Sequence, residues 1–276
     1  MFKLDPPIFS GAEVFAQCVR QLRSPTERIA LSAISSSIQN MEDDYRNHAK
    51  TGAVENITGG ARILDEPTRV RIGLLYAGQL LRKNTDARVY YDRILSVVPN
   101  ARCGFCRLRT AWTIDHYLPK EAFPEIAVLP INLVPCCRDC NSLKHAFRPV
   151  DEERIIHPYY DDLDIGSIVE ARLRQQPPLS IRFGVSSNNS HMKARTVAFH
   201  MRKLDLYREF SVHWQNDARS LQRALLNRFG TGGRKAVEHF LDELIAGVEN
   251  VPELIWKEIG YKAARVDQEF CDMNLW

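Results

Sequence analysis

The chain has 276 residues, of which 45% are hydrophobic and 26% charged, and its formal net charge is +3. This is the composition of a globular protein that is long enough to form a buried core. No apolar run approaches the length of about 18 residues that is needed to span a membrane. The N-terminal stretch MFKLDPPIFSG has neither the basic start nor the apolar run of a secretory signal. We therefore expect a cytoplasmic protein with no membrane partner, in which clustered cysteines bind metal more often than they form disulfides.

The first predicted region, residues 1–98, reads as helical. Ser10 and Ser24 each stand three residues before a glutamate, which is the capping-box spacing of a helix start. Apolar residues follow at helical spacing, and after the glycine-rich stretch ENITGGARI they predict a long helix over residues 67–83 and another over ARVYYDRILSVV. Because this region holds no catalytic cluster, we expect it to dock a partner or to dimerise.

The middle region, residues 99–150, is short and rich in cysteine and proline, and its stretch AWTIDHYL predicts a strand. It carries two C-x-x-C pairs, Cys103 with Cys106 and Cys137 with Cys140. Two such pairs supply the four thiolates of a closed tetrahedral zinc site, which is structural and leaves no open position for catalysis. The pattern therefore predicts a structural Zn²⁺ with a sizeable segment between its two halves.

Three further cysteines are not assigned to this site. Cys136 follows the apolar run INLVP and is expected to be a small buried residue. Cys18 and Cys271 fall on helical patterns without partners nearby, and we treat both as structural.

The last region, residues 151–276, is predicted to be mostly helical, with one strand at LSIRFGV and helical stretches over 192–228, 231–248 and 252–270. In its segment IIHPYYDD, His157 and the tyrosines either contact nucleic acid or, as we favour, pack the central module onto the C-terminal region. The segment FGTGGRK lacks the order of a phosphate-binding loop and predicts a break between helices, with Arg234 and Lys235 free for a backbone contact.

The segment between the cysteine pairs resembles the HNH endonuclease family, the ββα-metal nucleases, in its zinc-containing branch. That branch runs from a C-x-x-C to a strand ending in Asp-His, then an Asn in an NL turn, then a C-x-x-C followed at once by His or Asn. Asp115 and His116, Asn132 and Asn141 fall onto this order within residues 100–148, about a fifth of the chain. The resemblance implies an α+β fold: a mainly helical chain with a central ββα-metal module stabilised by the four-cysteine zinc site.

The resemblance also implies the chemistry of the site. His116 would be the general base that takes a proton from the attacking water, and Asp115 and Asn141 would hold one Mg²⁺ or Mn²⁺. Asn132 would orient the His116 ring or fix the loop between the strands. Taken alone, each residue would be better explained without catalysis, His116 as a turn histidine and Asp115 as a cap.

Asn141 stands where the family name has its second histidine, so the chain resembles the H-N-N members of the family. His145, four residues later, resembles the last histidine of an H-x-x-x-H ending and is a further candidate ligand of the catalytic cation. Residues 101–150 hold seven Lys and Arg against four acids, and the resemblance makes Lys144, Arg138 and Lys120 candidate nucleic-acid contacts.

The function implied is metal-dependent cleavage of DNA. Two alternatives stay open: a non-catalytic zinc-bound module that binds nucleic acid, and an RNase of the same family, because a module that grips the backbone does not separate DNA from RNA. Long HNH proteins of this build resemble nuclease subunits that accompany an ATPase in bacterial anti-phage systems, Septu-type systems among them. An ATPase subunit and a second copy of the chain are therefore candidate partners, while restriction and mobile-element nucleases are equally open.

Overall fold

The computed structural model describes residues 3–58, 63–150, 153–186 and 192–276. It is 59% helical and 8% strand, with two small antiparallel sheets, in agreement with the predicted α+β class. The chain divides into two compact units, residues 3–162 and 163–276. No helix in the described ranges combines the length and the apolar character needed to cross a bilayer.

In the described residues of the first unit, five α-helices precede a two-stranded sheet and one follows it. Its helices and strands, in chain order, are α1 Gly11–Arg20, α2 Pro25–Ser32, α3 Ser35–Thr51, α4 Glu66–Leu75, α5 Arg88–Leu95, β1 Thr113–His116, β2 Leu133–Cys136 and α6 Arg138–Lys144. Short 3₁₀ turns fill the connections, among them Pro124–Ile126 and Pro130–Asn132 between the two strands.

The helix starts follow the predicted capping. Ser10 and Ser24 adopt extended backbone, and their hydroxyl oxygens accept the backbone N–H of Glu13 at 3.1 Å and of Glu27 at 3.2 Å. Each bond satisfies a donor that the first helical turn leaves without a partner. The sequence therefore placed the starts of α1 and α2 correctly.

The long helix predicted over residues 67–83 is shorter in the structure. Regular α-helix ends at Leu75 and passes into a π-helical turn over Tyr76–Leu80. Such turns widen the helix locally, a change that residue spacing does not reveal. The predicted glycine-rich break before this helix lies partly outside the described residues, which omit 59–62.

Strands β1 and β2 pair antiparallel, with Thr113 opposite Cys136 and His116 opposite Leu133. β2 is buried along its whole length and leads directly into α6. The order strand, strand, helix is the one that the resemblance implies for residues 100–148. The predicted strand at AWTIDHYL is confirmed over its central four residues.

The second unit packs a two-stranded sheet against helices. Its elements are α7 Ile165–Ile168, β3 Val169–Leu173, β4 Ile181–Val185, α8 Met192–Lys203, α9 Leu206–Val248, α10 Ile255–Val266 and α11 Gln268–Cys271. β4 was predicted and β3 was not. Gly260 on α10 lies so close to the Trp214 ring on α9 that an added Cβ would stand 2.1 Å from the indole, so only glycine fits there.

The predicted glycine break lies inside α9, where Gly232 and Gly233 have non-helical backbone angles. Gly233 has φ 61°, a value that glycine adopts at little cost. The prediction that Arg234 is free for a backbone contact is wrong, because its guanidinium pairs with the Asp272 carboxylate through two hydrogen bonds.

Candidate functional site

Four buried cysteines of the first unit meet at one point. The Sγ atoms of Cys103, Cys106, Cys137 and Cys140 all lie within 4.8 Å of one another, and those of Cys106 and Cys137 are 4.0 Å apart. A tetrahedral zinc with Zn–S bonds of about 2.3 Å holds its sulfurs about 3.8 Å apart. The four thiols, buried and close together, could therefore bind a structural zinc ion.

The backbone around the cluster brings the two C-x-x-C turns together. The Gly104 N–H donates to the Pro135 carbonyl at 2.8 Å, which joins the first turn to β2. A Cβ on Gly104 would stand 3.0 Å from that same oxygen, so the approach depends on glycine. In the second turn, Cys137 caps α6, and its sulfur accepts the Cys140 N–H at 3.3 Å.

The four thiols perturb one another: the pKa is lowered at Cys106 and Cys137 by hydrogen bonds within the cluster, and raised at Cys103, chiefly by burial, and at Cys140 by those hydrogen bonds. Hydrogen bonds from the Cys103, Cys106 and Cys140 thiols hold the pKa of Cys137 far below the ordinary cysteine value. A thiolate is the form in which cysteine binds metal. Cys136 lies outside the cluster, is fully buried, and has its pKa raised by burial, as expected of a small core residue.

His116, at the end of β1, is held in its neutral form. Its side chain is buried, and burial lowers its pKa to about 4. Nε2 lies 2.9 Å from the Ala127 carbonyl oxygen, which can only accept, so Nε2 carries the proton and donates it there. Nδ1 is then the unprotonated nitrogen of the ring, and the Tyr76 ring packs against the imidazole with centroids 4.4 Å apart.

Asp115 stands beside His116 and faces a buried lysine. Its Oδ1 accepts the His116 backbone N–H at 2.8 Å, and its Oδ2 lies 3.0 Å from Lys144 Nζ. Burial raises the pKa of Asp115, an effect that the Lys144 charge opposes. Among the described residues Oδ2 has this ion pair but no hydrogen bond of ordinary geometry, which makes it a buried oxygen that can still take a ligand.

Lys144 was predicted as a nucleic-acid contact, and the structure places it elsewhere. Its side chain is 1% exposed, and Nζ donates to the His116 carbonyl at 2.6 Å as well as pairing with Asp115. An ammonium group enclosed in this way is not a surface cation for a phosphate. Lys120 and Arg138, the other two predicted contacts, are at least partly exposed.

Asn132 fixes the loop that follows β1. Its Oδ1 accepts the Leu118 N–H at 2.8 Å, and its Nδ2 donates to the Leu118 carbonyl at 3.1 Å. The amide is fully buried, and the Tyr117 N–H donates to the Asn132 backbone carbonyl. These are the contacts expected of a residue that pins the loop between the strands.

Asn141 and His145 lie at the two ends of the stretch that contributes Lys144. Asn141 stands one turn before Lys144 on α6 and therefore shares its face, the face that reaches Asp115. His145 was expected on that face too, but α6 ends at Lys144 and His145 has φ 51° with an exposed side chain. The helical spacing that favoured His145 as a ligand is therefore not kept.

A buried network that the sequence did not reveal supports Asn132. His157 Nδ1 accepts the Tyr159 N–H at 3.2 Å, so its Nε2 carries the proton and donates to the Tyr45 hydroxyl, 3.0 Å away. The Tyr45 hydroxyl in turn donates to Asn132 Oδ1 at 3.2 Å. His157 contacts Tyr45 of the first unit, 112 residues away along the chain, rather than packing the module onto the C-terminal region as predicted, and no local pattern shows this contact.

Comparisons with known proteins give two partial relatives. The chain is 34% identical over 170 residues to protein ea31 of Escherichia phage lambda, covering 58% of this chain and 57% of that protein. It is 31% identical over 77 residues to Septu protein PtuB of Bacillus thuringiensis, covering 26% of this chain and 30% of that protein. The chain thus spans little more than half of the first and under a third of the second. No protein-family model and no solved structure matches it.

Proposed function

We propose that the chain is a metal-dependent endonuclease that hydrolyses the phosphodiester bonds of DNA. The observation that carries the proposal is His116, a buried neutral imidazole whose Nε2 is fixed on the Ala127 carbonyl and whose Nδ1 is left to accept a proton. It stands beside a carboxylate, Asp115, on a strand that pairs with the one leading into the cysteine cluster. A general base needs this combination of fixed orientation, neutral charge and a free acceptor.

In this proposal His116 Nδ1 takes the proton of the attacking water. The Ala127 carbonyl keeps the ring in the tautomer that leaves Nδ1 unprotonated. Burial keeps the ring neutral down to a pH near its pKa of about 4, so the base is available at neutral pH. Asn132 holds the Leu118 backbone and with it the loop over the site.

Asp115 and Asn141 would hold Mg²⁺ or Mn²⁺ through oxygen atoms, the ligands these ions prefer. In support, Asp115 Oδ2 is a buried carboxylate oxygen that faces the Lys144 ammonium at 3.0 Å, and Asn141 lies one turn before Lys144 on α6. When bound, such a cation stabilises the charge that develops on the phosphate and on the leaving oxygen. His145, which is exposed and lies beyond the end of α6, is the less favoured further candidate ligand.

The cysteine cluster is assigned a structural zinc rather than a catalytic one. All four of its ligands come from the chain, so no coordination position is open to substrate. Its part is to join the turn before β1 to the start of α6, and so to hold Asp115 and Asn141 near each other.

The partial similarity to a Septu protein supports a place in anti-phage defence, with an ATPase as the candidate partner subunit. A second copy of this chain is the other candidate partner. Both partners are proposals, because the segment aligned with the Septu protein covers 26% of this chain.

The test replaces the general base. His116→Ala is expected to lower nicking of plasmid DNA in Mg²⁺ by about 10²–10⁴, the range for losing a positioned base. Asp115→Ala is expected to be equally slow, with part of its rate restored by excess Mg²⁺ or Mn²⁺, which would leave His116→Ala unchanged. Single-stranded DNA and RNA are assayed alongside to identify the substrate.

The matched control is His239→Ala, which removes a histidine whose side chain is 74% exposed. Because His116 is buried, zinc content and the unfolding transition of each variant are measured first, and cleavage is compared where every variant is folded. If folded His116→Ala cuts as fast as the wild type, the site is not catalytic and the binding-module alternative takes its place.

A further inference from the structure

Trp112 is a large aromatic side chain left in solvent next to the cysteine cluster. Its indole is 70% exposed, while its backbone N–H donates to the Cys136 carbonyl at 3.0 Å and so is fixed to β2. The other three tryptophans each have an aromatic partner: Trp214 and Trp276 pack on Phe270, and Trp256 packs on His213. Trp112 thus presents a flat apolar face to solvent from a rigid backbone.

The surroundings of this face are concave and include two arginines. A surface cavity of about 420 Å³ is lined by Arg109, Thr110, Trp112, Cys137, Arg138 and Asp139. Arg109 pairs with Asp139 at 3.0 Å, so those two charges offset each other. Arg138 is exposed and contributes a second guanidinium to the cavity wall.

We propose that this cavity binds an unpaired nucleotide of a DNA strand, with the base stacked on Trp112 and the adjacent phosphate near Arg138. Every base has a π-face that can stack on an indole, and a guanidinium binds phosphate through its planar array of donors. A paired base inside a duplex has no such face available. The cavity therefore selects single-stranded DNA, or a duplex with an unpaired stretch.

The position of Trp112 relates it to the proposed active site, and to that extent the inference rests on the proposed function. Trp112 directly precedes β1, and His116 is the last residue of that strand, so their Cα atoms are roughly 13 Å apart at about 3.3 Å per residue. The base stacked on Trp112 would therefore lie close along the strand to the bond beside His116. The substrate is thus DNA that is unpaired a few nucleotides from the bond that is cut.

The experiment measures binding of a labelled oligothymidylate, and of a duplex of matched length, by fluorescence anisotropy in Mg²⁺-free buffer. Trp112→Ala is expected to weaken oligothymidylate binding about tenfold or more, and Trp112→Phe to keep most of it, since phenylalanine also stacks. Arg138→Ala should weaken binding and reduce the salt dependence by about one counterion. Oligothymidylate should quench the tryptophan emission of the wild type but not that of Trp112→Phe.

The matched control is Ile29→Ala, which removes an apolar side chain that is 73% exposed on α2 and should bind as the wild type does. Three results would overturn the inference. The wild type does not bind oligothymidylate, or Trp112→Ala binds oligothymidylate as the wild type does, or Trp112→Ala loses as much affinity for the duplex as for oligothymidylate. If one of these results is found while the wild type still cleaves plasmid DNA, the proposed function stands and only the inference fails. Loss of binding in Trp112→Ala, with His116→Ala cutting normally, removes the proposed function and keeps the inference.

Discussion

Asp115 and Lys144 form an ion pair that is almost withdrawn from water beside the candidate general base. The two side chains are 14% and 1% exposed, and the Lys144 ammonium is also held by the His116 carbonyl. Removing two charges from water is costly, and the pair is stable only while each partner compensates the other. Lys144 therefore sets the charge of the site from inside the fold.

Lys144→Met tests this role, because methionine keeps much of the volume and removes the charge. The variant leaves the Asp115 carboxylate buried without a counter-charge, and we expect its free energy of unfolding to fall by about 3–5 kcal/mol in urea titrations. Lys120→Met is the control, since Lys120 is 41% exposed and pairs with Glu121 at the surface, where a pair is worth about 1 kcal/mol or less. Equal losses in the two variants would contradict the buried-pair argument.

His157 makes the stability of the first unit depend on pH. Burial lowers its pKa from 6.5 to about 3, with the Asp161 carboxylate opposing and the Arg154 guanidinium assisting. Because the unfolded chain takes up this proton at higher pH than the folded one, stability is full above 6.5 and is lost as pH falls from 6.5 to about 3.

The measurement is the free energy of unfolding at two pH values, for wild type and His157→Gln. At about 1.4 kcal/mol per pKa unit, the His157 contribution lost between about pH 7 and pH 5 is about 2 kcal/mol. His157→Gln should start less stable and lose correspondingly less over the same interval. An unchanged pH dependence in this variant would show that His157 is not the group responsible.

At the scale of elements, helix α3 takes part in the candidate site although it lies far away in the chain. Its Tyr45 is fully buried and connects the His157 imidazole to the Asn132 amide. Asn132 in turn holds the backbone of Leu118, two residues after His116. The N-terminal helices therefore support the loop of the site.

Tyr45→Phe removes one hydroxyl and keeps the ring. The His157 Nε2–H loses its acceptor inside the core, and a buried group without a partner costs about 1–3 kcal/mol, which thermal or urea unfolding would detect. Cleavage should fall too, since Asn132 loses one of the bonds that orient it. The control is Tyr90→Phe, whose hydroxyl donates to Glu13 at the surface and whose loss should matter little. A drop in stability without any change in cleavage would limit Tyr45 to a folding role.

The features that could be predicted from the sequence are those set by neighbouring residues. The caps at Ser10 and Ser24, the strand at β1 and the two C-x-x-C turns each depend on spacings of a few positions. The burial of Lys144 and the bond between Tyr45 and Asn132 depend on tertiary contacts 28 and 87 residues apart in the chain. No local pattern encodes such contacts, nor does one decide that α6 ends at Lys144 and leaves His145 exposed.

At the scale of the whole molecule, the chain has two compact units, residues 3–162 and 163–276. The predicted three-region division and the docking role of residues 1–98 stay predictions. Removing residues 1–98 would, however, also remove Tyr45 and Tyr76, which contact Asn132 and His116. A test of docking therefore needs substitutions on exposed helix faces rather than a deletion.

The zinc site offers a test of how far one unit folds without the other. Cys137→Ala removes a thiolate ligand, and because zinc binding is folding free energy, we expect it to lose its zinc, about one ion per chain in the wild type, and to unfold the first unit. Trp214, Trp256 and Trp276 lie in the second unit, so their emission should stay native while Trp112 and the protease resistance of residues 3–162 report the unfolding.

Cys136→Ala is the matched control. The Cys136 thiol is as buried as that of Cys137 but lies outside the cluster, so metal analysis should find the zinc content of this variant unchanged. If Cys136→Ala strips the metal and Cys137→Ala keeps it, the assignment of ligands is wrong; if Cys137→Ala unfolds both units together, they fold as one.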